Sequence, residues 1–240
     1  MDKFLALAAS DRADAIQQTA ANMQLHSTPV EKDLWVCYLL RELFALHCVK
    51  DMLIFKGGTS LSKGYGIIER FSEDIDLSVH ASAFGVEIEP DFAALSKSQR
   101  DNRIKHLYRA ARQFIQNALI PELTQRLETT LQGFDWRLDL SEVKKDFHIL
   151  RFTYPSVLTE QDQLAYARPY VQIELSARAE HEPAETKSVQ PYIAGQFPQI
   201  FEQADTAVKV LAAKRTFWEK ATILHAEASR PANEPMPQRL

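Results

Sequence analysis

The chain has 240 residues, of which 45% are hydrophobic and 25% charged, so it can form one large domain or two lobes around an apolar core. Its formal net charge of −4 argues against a general nucleic-acid coat protein, although it permits a local basic patch. Neither a signal sequence nor an apolar run of membrane-spanning length is present, which predicts a cytoplasmic protein without membrane attachment. Cys37 and Cys48 are expected to be free thiols, and the scattered histidines do not predict a zinc site.

The amino-terminal segment, residues 1–50, is predicted to be helical. Residues 1–26 have the pattern of one or two polar amphipathic helices. A strong helix is predicted over 30–46, because its apolar residues recur at helical spacing over a broad face. Trp35 lies on that face and is expected in the core rather than against a ligand.

The middle of the chain, residues 51–180, is predicted to be an α/β core with a mixed sheet. Predicted strands cover 52–55, 74–79, 136–140, 148–154 and 170–175. Predicted helices cover 59–65 and a long stretch over 96–132, which is expected to be interrupted near Pro121. Residues 181–240 are expected to form a carboxy-terminal helical segment with a proline-rich tail. Within and just before it, residues 178–200 are loop-rich and a final helix is predicted over 205–228.

Two glycines connect the first predicted strand to the helix that follows it, in the segment 56–63 (KGGTSLSK). Gly57 and Gly58 allow a sharp turn and a close approach of the backbone to a ligand. Thr59 and Ser60 then place hydroxyl and N–H groups at the start of a helix, where phosphate groups bind readily. Taken alone, such a segment is usually no more than a strand-to-helix connection.

Two aspartates, Asp74 and Asp76, flank one apolar residue in the next predicted strand. Side chains at positions i and i+2 of a strand share a face, so the two carboxylates repel each other unless a cation lies between them. Divalent cations with oxygen ligands meet that requirement. Such a pair alone is usually a solvated strand edge, but together with the glycine turn it predicts a phosphate site facing a metal-binding carboxylate pair.

The segments 56–63 and 70–77 (RFSEDIDL) resemble the first motif of the AbiEii/AbiGii group of toxin nucleotidyltransferases, the smallest members of the DNA-polymerase-beta-like superfamily. Three further segments resemble motifs of the same family: 31–36 (EKDLWV), 171–178, which holds an acidic strand (VQIE) followed by an Ala-Arg pair, and 215–220 (RTFWEK). The resemblance implies a polymerase-beta-like nucleotidyltransferase core with helical segments at both termini.

The resemblance also implies roles for individual residues. Asp74 and Asp76 are expected to bind Mg²⁺ or Mn²⁺, since nucleotidyl transfer uses two metal ions about 4 Å apart. Glu174, on the polar side of its predicted strand, is the expected third carboxylate, the alternative being an ordinary exposed acid. Lys220 is implied as the cation that neutralises the triphosphate, the alternative being a solvated surface pair with Glu219. The residues expected to contact the nucleotide are Gly57, Gly58, Thr59, Ser60, Lys63, Arg70, Ser72 and Arg178. A structural role is the alternative for Arg70, and a hydrogen bond to the loop that presents Asp74 is the alternative for Ser72.

The expected function is Mg-dependent transfer of a nucleotide from an NTP to an acceptor, preferably an RNA such as tRNA, by the toxin of a toxin–antitoxin or phage-defence system. A cognate antitoxin protein is a possible partner. One alternative is a nucleotide-binding regulatory module without turnover, and another is an enzyme that modifies small molecules such as antibiotics. Family members usually continue past the proline-rich tail into a helix with the pattern R-x-Y-Y-D-L, whereas this sequence stops at Leu240. We therefore expect either a truncated form or one that lacks that acidic element.

A run of basic residues lies outside these motifs, on the long helical stretch. Its members are Lys97, Arg100, Arg103, Lys105, Arg109 and Arg112, with Asp101 the only acidic residue among them. Such a run is usually a solvated helix face, but with an RNA acceptor it could follow the phosphate backbone.

Overall fold

The protein is described by a computed structural model over residues 1–69, 72, 74–86, 94–143, 147–159, 161–162, 168–177, 181–201 and 205–230. These residues form an α/β fold with a mixed sheet, as predicted, and the sheet has seven strands, two more than the sequence analysis predicts. Cys37 and Cys48 are free thiols, also as predicted. No helix in this part of the chain is both long enough and apolar enough to cross a membrane.

The helices are α1 (Asp2–Leu5), α2 (Ala9–Met23), α3 (Ser27–Phe44), α4 (Gly57–Lys63), α5 (Lys97–Phe114), α6 (Ile120–Thr130) and α7 (Ala213–Ala228). The strands are β1 (Leu53–Lys56), β2 (Asp74–Val79), β3 (Arg137–Val143), β4 (Phe147–Thr153), β5 (Tyr170–Ser176), β6 (Ala184–Val189) and β7 (Thr206–Leu211). Short 3-10 turns cover His47–Val49, Ala81–Phe84 and Tyr192–Gly195, and a π-helical turn, Ile115–Leu119, joins α5 to α6.

The strand order in the sheet is β3-β4-β5-β2-β1-β7-β6. The central strand β2 runs parallel to β5 and antiparallel to β1. β1 is also parallel to β7, and the remaining neighbours are antiparallel. Because β2 has a neighbour on each side, the side chains that it carries lie beside side chains from both β1 and β5.

The two faces of the central strands differ in polarity. Ile75 and Leu77 of β2 and Ile173 of β5 are buried, and the residues between them are polar and less buried. Helix α3 packs on the apolar face. There Trp35, which is only 2% exposed, stacks on Tyr154 with ring centroids 5.5 Å apart. The predicted core position of Trp35 is therefore confirmed, and the opposite face of the sheet, here called the open face, carries the polar side chains.

The carboxy-terminal part of the chain differs most from the prediction. Residues 184–189 and 206–211, predicted to be loop and helix, form β6 and β7, and the final helix covers only 213–228. In β7, buried Val208 and Val210 flank the less buried Lys209, which is a strand pattern. The alanine and lysine residues around it also suit a helix that continues into α7, so local preference favoured the wrong structure. Pairing with β1 and β6 determines the strand.

The sequence analysis predicts that Pro121 interrupts the long helical stretch, and this prediction is wrong. The backbone stays helical from Lys97 to Thr130, with a π-helical turn between α5 and α6. Pro121 lies just after the π-helical turn, where the hydrogen-bond pattern of the helix changes. The other boundaries shift by a few residues from the predicted ones, as in α3 and α4.

Candidate active site

The glycine turn brings the backbone against a carboxylate. β1 ends at Lys56 and α4 begins at Gly57, whose φ of +76° is a left-handed conformation. A Cβ atom added to Gly57 would lie 1.9 Å from Asp76 Oδ2. Only a residue without a side chain therefore fits between the end of β1 and Asp76.

The three carboxylates predicted to act together lie on the open face of the sheet. Asp74 and Asp76 alternate with buried Ile75 along β2. Asp76 and Glu174 are register partners between the parallel strands β2 and β5, and Asp74 is paired with Gln172 in the same way. Register partners point to the same face, so the structure places Asp74, Asp76 and Glu174 at adjoining positions.

The surroundings of Asp76 disfavour the ionised form of its carboxylate. Burial raises its pKa, and so do the negative charges of neighbouring Glu174 and, to a smaller extent, Asp74. The positive charges of Lys56 and Lys220 act in the opposite direction, but the pKa still rises to about 6. Lys56 is the register partner of Asp76 on β1. The protein's own cations thus offset only part of the unfavourable energy of ionising this carboxylate.

The chemistry of this donor set fits a divalent cation. Carboxylate oxygens are the ligands that Mg²⁺ and Mn²⁺ prefer, and a cation beside Asp76 would offset the burial and the neighbouring negative charges that raise its pKa. Among the described residues, no three His, Cys, Asp or Glu side chains form a group that could hold a metal ion. Asp74 and Asp76 would therefore need further oxygen ligands from a bound triphosphate or from water.

The hydroxyl groups of the glycine turn are directed into the protein. Thr59 and Ser60 are fully buried. Thr59 Oγ1 donates to the Asp74 carbonyl oxygen at 2.5 Å and lies 2.7 Å from Ser72 Oγ. Ser60 Oγ donates to the Gly57 carbonyl oxygen at 2.8 Å. The Thr59 hydroxyl thus attaches the turn to β2, whereas the Ser60 hydroxyl bonds within the turn. Contact of the backbone N–H groups of α4 with phosphate stays a prediction.

Lys63, predicted to contact the nucleotide, forms a buried ion pair instead. Its Nζ lies 2.6 Å from Asp33 Oδ1, with the two side chains only 7% and 2% exposed. The ammonium group also lies 3.9 Å from the centre of the Tyr192 ring, and the other Asp33 oxygen accepts from the Tyr192 N–H at 2.7 Å. The prediction for Lys63 is corrected accordingly: this residue joins α4 to α3.

Lys220 lies on α7, close enough to Asp76 for its charge to favour the ionised carboxylate. Glu219, the alternative partner considered for Lys220, is 3.7 Å from Arg215 one turn earlier. The position of Lys220 is compatible with a triphosphate contact, and that role stays a prediction. Arg70 and Arg178 lie outside the described residues.

Lys56 and His181 lie near the carboxylates, although the sequence alone assigns no function to either residue. Lys56 is the register partner of Asp76, a relation that depends on the pairing of β1 with β2. His181 Nε2 lies 3.0 Å from the hydroxyl of Ser78, which follows Asp76 by two residues on the open face. Burial, assisted by the charge of His80, lowers the pKa of His181 to about 4, so it is neutral at pH 7. No local pattern marks His181, because its partner is distant in the sequence.

Comparison with known protein families decides the identity of this fold. The family described as nucleotidyl transferase AbiEii toxin, type IV toxin–antitoxin system, matches residues 38–237, most of the chain. This chain belongs to the AbiEii family of nucleotidyltransferase toxins. The resemblance inferred from the segments 56–63 and 70–77 is thereby confirmed, as is the prediction that the protein is a nucleotidyltransferase.

Among solved structures, this AbiEii-family chain is similar to MenT4, a nucleotidyltransferase toxin from Mycobacterium tuberculosis H37Rv. The two share 19% sequence identity with a TM-score of 0.48, over 95% of this chain and 67% of MenT4. Comparison with curated protein sequences gives no match. The identification therefore rests on the AbiEii family match.

Proposed function

We propose that this AbiEii-family protein transfers a nucleotide from an NTP to an RNA acceptor in a reaction that requires Mg²⁺ or Mn²⁺. We further propose that it acts in the cytoplasm as a toxin that a cognate antitoxin restrains. The observation that carries the proposal is the register pairing of Asp76 with Glu174, beside Asp74 and against the Gly57 turn. This arrangement joins a carboxylate cluster to backbone N–H groups that can bind phosphate.

Asp74 and Asp76 are the residues that would hold the metal. A divalent cation there would supply Lewis-acid stabilisation of the phosphate oxygens and would lower the pKa of the attacking hydroxyl. Asp76 must be ionised to act as a ligand, and a pKa of about 6 leaves it mostly ionised at pH 7. Glu174, on the neighbouring strand, would accept the proton of the acceptor hydroxyl.

The remaining residues of the site would orient the triphosphate. The N–H groups at the start of α4 face the phosphates, and Lys220 compensates the charge that develops on the leaving pyrophosphate. In the reaction, the acceptor oxygen forms a bond to the α-phosphorus while the bond from that phosphorus to the β-phosphate bridging oxygen breaks. Pyrophosphate leaves, and the nucleotide stays on the acceptor.

A nucleotide-binding module without turnover is the second candidate. The two candidates make the same prediction for NTP binding and opposite predictions for product formation. Only a measurement of transfer distinguishes them.

The test is incubation of the protein with each of the four NTPs, labelled at the α-phosphate, together with Mg²⁺ and total RNA. We expect label to appear in RNA with at least one NTP, and to be lost in the Asp76→Asn variant. NTP binding without label in any product would support the non-catalytic module. Label in a small molecule from an added cell extract, and not in RNA, would contradict the proposed acceptor.

A further inference from the structure

Helix α5 concentrates positive charge in an acidic protein. It contains six basic residues and one acidic residue, a net charge of +5, whereas the whole chain has a formal net charge of −4. The remaining residues therefore carry −9. A local excess of this size is typical of a surface that meets a polyanion.

Three of the basic residues share one flank of the helix. α5 packs on the protein through Tyr108, which is buried, and through Phe114, whose ring centroid lies 5.9 Å from that of Phe84. The exposed residues at positions i, i+4 and i+7 on one flank are Lys105, Arg109 and Arg112, here called the α5 basic stripe. The structure thus separates these three from the other basic residues of the run.

The α5 basic stripe has no negative partner in the part of the chain that the structure describes. Among the described residues, no Asp or Glu forms an ion pair with any of its three side chains. Other arginines are paired, as in the 2.9 Å contact between Arg126 and Glu42. Asp101 lies four residues before Lys105 and is the only acidic residue of α5. The stripe therefore presents positive charge that the described protein does not neutralise.

The neighbours of the stripe favour phosphate over a protein surface. Ser98, Asn102 and Gln113 are exposed beside it, and all are polar. Protein-binding surfaces usually have apolar or aromatic side chains at their centre, which this flank lacks. Lys, Arg, Ser, Asn and Gln are the side chains that contact nucleic-acid phosphates.

We propose that the α5 basic stripe binds the phosphate backbone of the RNA acceptor whose reacting hydroxyl lies at Asp74 and Asp76. The inference rests on the proposed function and adds a second contact surface to it. β2, which carries the two aspartates, is followed directly by the Ala81–Phe84 turn on which Phe114 packs. The helix is thus attached to the strand of the candidate site, and it would orient the RNA without reading its base sequence.

The test is the salt dependence of binding to fluorescently labelled bulk tRNA, measured by anisotropy without NTP so that no transfer occurs. In the Lys105→Gln/Arg109→Gln variant we expect the affinity to fall roughly tenfold at physiological salt, because two phosphate contacts are lost. The slope of log K against log salt should decrease by about 2. Asp101→Asn removes a repelling charge beside the stripe and should lower the Kd.

The matched control is Lys50→Gln/Lys187→Gln, which changes the net charge by the same amount away from α5. This control should keep the wild-type affinity and slope. All variants should keep the wild-type melting temperature and the wild-type shift with Mg²⁺ and NTP. If the double variant does not fold, Arg112→Gln alone should reduce the slope by about 1.

Wild-type affinity and slope in the Lys105→Gln/Arg109→Gln variant would overturn the inference, as would equal weakening in the control. In either case the flank is solvated or meets an acidic protein. Failure of the proposed function would look different: the wild-type protein would transfer no label from any NTP, while tRNA binding would still depend on the α5 basic stripe.

Discussion

The backbone of Gly57 lies directly against the carboxylate of Asp76, so that an added Cβ would be 1.9 Å from Asp76 Oδ2. The turn that begins α4 and the carboxylate on β2 therefore form one structural unit. The backbone that would receive the phosphates also fixes the position of a metal-binding side chain. A change at Gly57 should consequently affect both stability and transfer.

We predict that Gly57→Ala abolishes nucleotidyl transfer and lowers the free energy of unfolding by about 2 kcal/mol, measured by urea denaturation. Two effects combine: a Cβ at φ +76° is unfavourable, and it would displace the Asp76 carboxylate. The matched control is Gly58→Ala, whose Cβ would lie 3.4 Å from Ser72 Oγ. We expect Gly58→Ala to change stability by less than about 1 kcal/mol. Equal effects of the two substitutions would contradict the assigned role of Gly57.

We predict that Asp76→Asn removes transfer activity and stabilises the protein at pH 7 by about 1–3 kcal/mol. The pKa of Asp76 is raised from 3.8 to about 6 in the folded protein, so the folded state binds this proton more tightly than the unfolded state. The free energy of unfolding of the wild type therefore decreases as pH rises from about 4 to 6, because Asp76 becomes ionised. The Asp76→Asn variant does not show this decrease, since asparagine does not ionise. Below pH 3.8 both forms are neutral and the difference should disappear.

Thermal unfolding of wild type and Asp76→Asn across this pH range measures the effect. Asp74→Asn is the comparison, because Asp74 is more exposed and should give a smaller stability gain with the same loss of transfer. Binding of Mg²⁺ by the wild type should also weaken as pH decreases through about 6, because protonated Asp76 is a poor metal ligand. A stability difference independent of pH would show that Asp76 does not have the raised pKa.

We predict that Lys220→Ala weakens NTP binding by roughly ten- to a hundredfold without a change in melting temperature. A lysine against phosphate makes a charge-assisted contact of about 1.5–3 kcal/mol, whereas an exposed lysine contributes little to folding. The measurement is the thermal shift produced by Mg²⁺ with a nonhydrolysable NTP, titrated to obtain Kd. Lys50→Ala is the control on another exposed lysine. An unchanged Kd in Lys220→Ala would remove this residue from the nucleotide site.

We predict that Lys63→Met lowers the free energy of unfolding by about 3–5 kcal/mol, because it leaves the Asp33 carboxylate buried without its partner. The double variant Lys63→Met/Asp33→Asn should regain most of that loss, since the asparagine is uncharged and its oxygen can still accept from the Tyr192 N–H. The folded double variant should bind NTP with wild-type affinity. A stable Lys63→Met protein that loses NTP binding would instead restore the nucleotide contact expected from the sequence.

Local sequence patterns were sufficient to predict that the carboxylates of Asp74, Asp76 and Glu174 lie on the polar face of their strands. Asp74 and Asp76 are predictable because alternation along a strand places them on one face, and Glu174 because its strand alternates in the same way. The ion pair of Lys63 was not predictable in this way. Its partner Asp33 lies on α3, and burial changed the role of the lysine.

The sequence by itself determined the residue types, the α/β class and the family, because these follow from short-range periodicity and from motifs of a few adjacent residues. Tertiary structure decided which of those residues meet. It placed Glu174 beside Asp76, turned the Thr59 hydroxyl toward Asp74, and converted residues 206–211 from a predicted helix into β7. The physical reason is that strand register and burial depend on contacts between segments far apart in the chain, which local preference does not contain.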